Sequence, residues 1–121
     1  MALKVSGFSS ATASYKIVSD TDSDENAETD VTGAQGTIYQ IYIKNDASSN
    51  TSYLKLKLTS GTVTVGTTEP DLVLAAGPSA PETYVFPAGL PFTQLTFWTT
   101  ATAATANAAA PPSTEVKILC T

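Results

Sequence analysis

The most concentrated group of potential metal ligands is the acidic run over residues 20–30, which contains six carboxylates. Three aspartates in this run are separated by single residues: Asp20, Asp22 and Asp24. The first ligands of a helix-flanked calcium loop have this spacing. Such a loop also needs a glycine and a terminal glutamate, where this chain has Glu25 and Val31. Three interpretations of the run stay open: a non-standard calcium site at the three aspartates, a solvated anionic loop, or a loop that contacts lysines of a neighbouring subunit.

The residue types that most often act as catalytic bases and nucleophiles are scarce. The chain has no histidine, and Cys120 is its only cysteine. One copy therefore cannot assemble an ordinary zinc site or a histidine-activated serine. Cys120 falls on the apolar phase of the last predicted strand, which favours a core position. The carboxylates nearest to apolar sequence flank prolines, which indicates surface turns: Glu69, Asp71 and Glu82. We predict that the chain is not an enzyme and binds no cofactor.

Three aromatic residues are the candidates for a binding surface: Phe8, Tyr53 and Trp98. Tyr53 and Trp98 fall on the polar phase of alternating strands, where a ring can stack on a sugar or anchor a protein interface. Ordinary cross-strand packing is the third interpretation. Phe8 ends a leading segment, residues 1–8, which is expected to form a short strand or an arm that contacts other subunits.

The clearest structural signal is the strict alternation of apolar and polar residues over 53–59. It predicts a strand whose apolar phase faces a core: Leu54, Leu56 and Leu58. The opposite phase, which contains Lys55 and Lys57, is expected to face water. The preceding strand over 37–44 is expected to turn Tyr39, Ile41 and Ile43 inward. These two strands are predicted to pair as a hairpin across the turn at 45–50.

Short strands and turn signals continue along the rest of the chain. Further strands are predicted over 3–8, 11–18, 62–65, 71–74, 83–86, 94–99 and 114–120. The prolines and glycine of residues 87–91 predict a rigid turn, and the alanine- and threonine-rich residues 100–112 predict a loop with no docked helix. About eight short strands with closely spaced turns are typical of an all-β, antiparallel, jelly-roll-like sandwich. Residues 1–121 are predicted to form this single domain, with the arm 1–8 and the acidic loop 20–30.

The charge balance argues against a nucleic-acid partner. Six lysines oppose eleven acidic residues, and the net charge is -5. Such a surface repels phosphate, and no cluster of cations offsets the repulsion. The sequence shows neither a secretory signal over 1–18 nor an apolar stretch long enough to cross a bilayer. The expectation is a soluble protein that is made in a cytoplasm.

Residues 30–121 contain an ordered series of motifs that resembles a group of known proteins. The motifs are 30–39 (DVTGAQGTIY), 43–50 (IKNDASSN), 53–56 (YLKL), 65–74 (VGTTEPDLVL) and 86–92 (FPAGLPF). Together with the following alanine/threonine-rich loop and closing strand, they resemble small structural proteins of tailed phages, especially phages of marine and cyanobacterial hosts. Proteins of this kind are β-sandwiches of the virion, and several are capsid decoration or cement proteins.

The resemblance implies a virion structural protein that is made in the host cytoplasm and stabilises the outer surface of the head by protein–protein contacts. The implied partners are the major capsid protein or other virion proteins, together with further copies of the chain in a homo-oligomer such as a trimer. A neck, tail or fibre position stays open. The alternative function is a carbohydrate-binding or host-adhesion module of a phage tail or fibre.

Overall fold

Eight β-strands make up the regular structure of the described residues. The computed structural model describes the backbone of residues 3–9 and 14–121, and the side chains of residues 3–7 and 15–121. The strands are β1 (Leu3–Ser9), β2 (Ser14–Asp20), β3 (Gly36–Asn45), β4 (Ser52–Lys57), β5 (Leu72–Ala76), β6 (Pro81–Phe92), β7 (Thr96–Thr100) and β8 (Thr114–Cys120). None of the described residues is helical, and so none of them forms a helix with the length and apolar character of a membrane span.

The strands form two antiparallel sheets that pack as a sandwich. Sheet A has five strands in the order β1-β2-β8-β3-β6, and sheet B has three in the order β5-β4-β7. The predicted all-β antiparallel sandwich is confirmed. The two layers differ in width by two strands, which leaves part of sheet A without a facing strand.

The core lies between the sheets and consists of the inward-facing phase of each strand. Leu54 and Leu56 of β4 are fully buried, as the alternation over 53–59 predicts. Ile118 and Cys120 of β8 are also fully buried, so the predicted core position of the cysteine is confirmed. The remaining core residues are Val18, Ile38, Ile41, Ile43, Leu74, Ala76, Phe92, Leu95, Phe97 and Val116.

The predicted β3–β4 hairpin is wrong, because these two strands lie in different sheets. β3 pairs with β6 and β8, whereas β4 pairs with β5 and β7. The buried Asn45 holds the connection: its Nδ2 donates to the carbonyls of Asn50 (2.9 Å) and Ala76 (3.1 Å). Its Oδ1 accepts from the Ala47 amide (2.9 Å). These bonds hold the chain where it passes from one sheet to the other, and composition alone cannot distinguish such a crossover from a hairpin turn.

β6 continues through the residues that were predicted to form a rigid turn. It is an edge strand, so a proline can direct its missing N–H away from the only neighbour, β3. Between the pairs Gln40–Val85 and Ile38–Leu90, β6 has four residues where β3 has one. This bulge needs Gly89, whose φ is +81° and where a Cβ would lie 2.5 Å from Thr37 Cγ2.

The same bulge changes the phase of β3. Tyr39 is the unpaired residue of β3, so its side chain leaves the inward-facing set and is only half-buried. Ile38 takes the inward position and is fully buried. The predicted inward position of Tyr39 is therefore wrong, while those of Ile41 and Ile43 are confirmed. The predicted strand over 62–65 is also absent; Thr64 instead accepts the Thr68 amide in a local turn.

The outer face of sheet B is covered by the chain itself, which corrects a second expectation. Lys55 is fully buried and Trp98 is 1% exposed, and the two are cross-strand neighbours on β4 and β7. Trp98 does not belong to the core between the sheets. The segment 101–113 lies over this face, since Lys55 Nζ donates to the Ala104 carbonyl at 2.6 Å. The burial lowers the pKa of Lys55 from its usual value.

We predict that truncating Lys55 destabilises the fold far more than truncating Lys57. Lys55→Ala leaves a cavity beneath segment 101–113 and should cost about 2–4 kcal/mol of unfolding free energy. Lys55→Met keeps most of the packed stem and removes a desolvated charge, so its cost should be about 1 kcal/mol or less. The matched control is Lys57→Ala, which removes only a partly exposed pair with Asp71 and should cost about 0.5 kcal/mol. Urea titrations measure all three, and equal values for the two alanine variants would contradict the burial of Lys55.

Candidate functional site

The acidic segment, residues 20–31, is docked along the edge of sheet B. It runs beside β7 and covers the side of that strand that does not face β4. Its backbone hydrogen bonds are Thr99 N to Asp24 O (2.8 Å), Glu28 N to Phe97 O (2.8 Å), Phe97 N to Glu28 O (3.1 Å) and Val31 N to Leu95 O (2.9 Å). The run is a loop with exposed side chains such as Asp22 and Asp30, as the sequence predicts, but its backbone is docked against β7. The polar composition of this run gave no indication that its backbone pairs with a strand.

The structure does not bring the three aspartates together as calcium ligands. Asp20 is buried and accepts the Asp22 amide on Oδ1 at 3.1 Å, whereas Asp22 itself is exposed. Asp24 Oδ1 accepts the amide of Asn26 at 2.9 Å. Among the described residues, no three acidic or other ligand side chains are grouped so that they could hold a metal ion. The structure therefore gives no support to a calcium site at Asp20, Asp22 and Asp24, which stays a prediction.

Burial raises the pKa of two carboxyl groups of the acidic segment, Asp20 and Glu28. Burial, followed by the side-chain hydrogen bond with Asp22, raises the pKa of Asp20 to about 6. Burial and the charges of Asp24 and Asp22 raise the pKa of Glu28. Above about pH 6, where Asp20 is charged in the folded protein, its burial therefore lowers the free energy of unfolding.

We predict that Asp20→Asn stabilises the protein and flattens its pH profile. The folded-state pKa of about 6 exceeds the ordinary value of 3.8, so the folded chain binds the proton more tightly than the unfolded chain. The wild-type unfolding free energy should therefore fall as pH rises through this interval, by about 1 kcal/mol between about pH 5 and pH 8. Asp20→Asn should remove this loss. Chemical denaturation at both pH values measures it, with the exposed Asp30→Asn as control; profiles of equal slope for wild type and Asp20→Asn would contradict the prediction.

The outer face of sheet A carries a cross-strand row of residues, which we call the outer row. Strand register places its members side by side across all five strands: Ser6, Ile17, Leu119, Gln40 and Val85. Ile17 is 36% exposed and Val85 is 59% exposed. Two of the three large apolar residues that are exposed in the described part of the chain thus lie in one line on one face.

Aromatic and cationic groups lie beside the outer row. Lys117 and Tyr42 are cross-strand neighbours, and the Lys117 ammonium lies 5.7 Å from the centre of the Tyr42 ring. With Ile17, Gln40 and Leu119, these two residues line a shallow hollow of about 270 Å³. The face also bears Lys4 and Lys44, with Glu115 beside Lys44. The ammonium of Lys44 pairs with Asp46 at 3.5 Å. The face is therefore apolar at its centre, with Lys4 and Lys117 as the cations beside it for which no ion pair is found in the described chain.

The edge strand β1 extends beyond the cover that sheet B provides. Val5 pairs with Val18 and lies on the inward phase of sheet A. Val18 is fully buried, yet Val5 is 41% exposed. Leu3, two residues away, packs against the core. The inward face of β1 is therefore covered at Leu3 but not at Val5. The inner side of β1 is an apolar surface that the described chain leaves open.

The structure places the aromatic candidates Phe8, Tyr53 and Trp98 on different strands and in different surroundings. Trp98 is 1% exposed, so its predicted place on an exposed binding face is wrong. Tyr53 is half-buried and lines a groove of about 640 Å³ with Asn50, Thr51, Pro111 and other residues. The backbone of Phe8 pairs with Tyr15 in the β1–β2 ribbon, and its side chain lies outside the described residues.

Sequence reasoning missed the outer row, although one signal was present. Leu119 lies between Ile118 and Cys120, so apolar residues occupy both phases of β8 at this point. A strand that is apolar on both phases has something to bury on both sides. Ile17 and Val85 become informative only when the register aligns them with Leu119.

No protein-family model matches the chain, and no curated protein or solved structure matches it. Function must therefore be inferred from the surfaces of the molecule itself.

Proposed function

We propose that this chain is a structural subunit of a tailed-phage virion, a decoration or cement protein that binds the outside of the head through the outer face of sheet A. The outer row with its basic surroundings is the observation that carries the proposal. Ile17, Leu119 and Val85 give a flat apolar centre, and Tyr42 with Lys117 adds an aromatic and a cation. Interfaces between proteins have this composition, with apolar and aromatic groups at the centre and charges around them.

The charges of the face specify the partner surface. Lys4 and Lys117 are the lysines of the face for which no ion pair is found within the described chain, whereas Lys44 pairs with Asp46 at 3.5 Å. Carboxylates are the protein groups that pair with lysine, so the matching patch should be apolar and carry acidic residues opposite Lys4 and Lys117. In this proposal the major capsid protein or a neighbouring virion protein supplies that patch. The net charge of -5 fits a position on the outside of the head, because an inner position would bring the subunit against packaged nucleic acid.

The role assigned here is adhesion without catalysis. The motif series over residues 30–121 supports the placement among phage structural proteins, and the two-sheet sandwich is the fold that the resemblance implies. The resemblance covers β3 to β8 and therefore includes Tyr42, Val85, Lys117 and Leu119 of the proposed attachment face.

We predict that Val85→Glu abolishes attachment to particles. Val85 is exposed, so the substitution should leave the fold intact, but it places a carboxylate against the acidic patch expected on the partner. Bound protein should fall about tenfold or more, corresponding to about 1.4 kcal/mol. The assay is co-sedimentation of the purified protein with phage particles that lack it, followed by location of the subunit in an electron-microscopy map.

The matched control is Ser60→Glu, which adds the same charge to an exposed loop outside sheet A. It should bind particles as the wild type does. Equal binding of Val85→Glu and wild type would refute the attachment face, and absence of wild-type binding to any particle surface would refute the proposed function.

A second candidate function is a carbohydrate-binding or host-adhesion module of a tail or fibre. The observation that favours it is the groove beside Tyr53, whose lining combines a ring with the polar side chains of Asn50 and Thr51. Sugars bind through such a combination of stacking and hydrogen bonds. The groove lies at the end of sheet B, away from the outer face of sheet A, so the two functions use different residues.

The alternative predicts specific binding on a glycan array. Tyr53→Ala should then lose all glycan signal while it retains particle attachment, and Tyr42→Ala, on the outer face of sheet A, should retain the glycan signal. Absence of binding by the wild type would eliminate the alternative and leave the proposed attachment role unaffected.

A further inference from the structure

The four sheet edges of the sandwich are not equally protected. An exposed edge presents unpaired backbone N–H and C=O groups, which another strand can pair with. The β7 edge is covered by the acidic segment, and β6 carries Pro81, Pro87 and Pro91, each of which lacks a donor. At β5, the carbonyl of Ala75 accepts the Tyr84 hydroxyl and that of Ala76 accepts Asn45 Nδ2. β1 has none of these devices.

β1 pairs with β2 on one side, and no other described residue forms a ladder with it. Its seven residues contain no proline, and Lys4 is its one charged side chain. On the same strand, Val5 is 41% exposed on the inward phase. The strand therefore combines a row of unpaired backbone groups with an uncovered apolar side chain. An extended partner strand with apolar side chains can form hydrogen bonds with the backbone groups and bury the side chain.

The sequence of β1 is suited to pairing with itself. An antiparallel register centred on Ser6 aligns all seven residues with those of a second copy and places Val5 opposite Gly7. Both residues lie on the inward phase. A Cβ built at Gly7 would meet no atom within 4 Å, so this position has room for the valine of the other copy. The register also keeps the two Lys4 residues from facing each other, which avoids a like-charge pair.

We propose that a second copy of this chain adds its β1 antiparallel to β1, joining two five-stranded sheets into one continuous sheet about a two-fold axis. The contact is isologous, so it closes after two subunits and gives a dimer. The two exposed Val5 side chains enter the contact, and both free edges disappear. Ser6 is the one member of the outer row that the pairing involves; the apolar members Ile17, Leu119 and Val85 lie on other strands, so the pairing holds or fails independently of attachment to a head.

Two valines on the edge strands of sheet A supply a matched test. Val5→Lys places a charge at the proposed contact and should raise the dimer dissociation constant about tenfold or more. Val85→Lys places the same charge on β6 and should leave the constant unchanged. Sedimentation equilibrium of the full chain over micromolar to submillimolar concentrations measures both, and circular dichroism checks that both remain folded. A wild type that stays monomeric, or equal effects of the two substitutions, would overturn the proposal.

A crosslinking experiment tests the register without a disruptive substitution. Residues opposite each other in neighbouring strands lie within reach of a disulfide, so Ser6→Cys should form a covalent dimer when oxidised glutathione is added. Cys120 is buried and does not compete. Thr83→Cys, on the exposed β6 edge, is the control and should stay monomeric under the same conditions. Failure of Ser6→Cys to crosslink more than Thr83→Cys would overturn the pairing, whatever the outcome of the particle-binding assay.

Discussion

The unequal width of the two sheets is the constraint on which the rest of the structure depends. Five strands cannot be covered by three, so the chain must either cover the excess with irregular segments or leave it open. The acidic segment extends sheet B by pairing with β7. On β1, Leu3 packs against the core, but Val5 is 41% exposed. The exposed apolar surface of β1 is thus a direct result of how many strands each layer contains.

The outer faces of the two sheets differ in how far other parts of the described chain cover them. On the outer face of sheet B, Lys55 and Trp98 are buried, and Lys55 donates to the Ala104 carbonyl of segment 101–113. In the described part of the chain, no comparable segment covers the outer face of sheet A, where Ile17 and Val85 are exposed. The exposed apolar residues make this face the one that can bind a neighbouring molecule.

Local alternation predicted the parts of the fold that depend on one strand at a time. Leu54, Leu56, Ile41, Ile43 and Cys120 were assigned to the core correctly, because side-chain direction in a strand follows from position alone. Which strands pair could not be read in this way, since Asn45 directs the crossover through hydrogen bonds that require the folded partners. The burial of Asp20, Lys55 and Trp98 was not predicted, for a related reason. A covering segment such as 101–113, whose Ala104 carbonyl accepts Lys55 Nζ, has no apolar pattern in the sequence.

The enclosed position of Trp98 has a spectroscopic consequence. It is the only tryptophan, and it lies outside the core between the sheets. Intrinsic fluorescence of this protein thus reports the outer layer over β4 and β7 separately from the apolar interior. A red shift of the emission, with far-ultraviolet circular dichroism unchanged, would mark release of that layer from an otherwise folded sandwich.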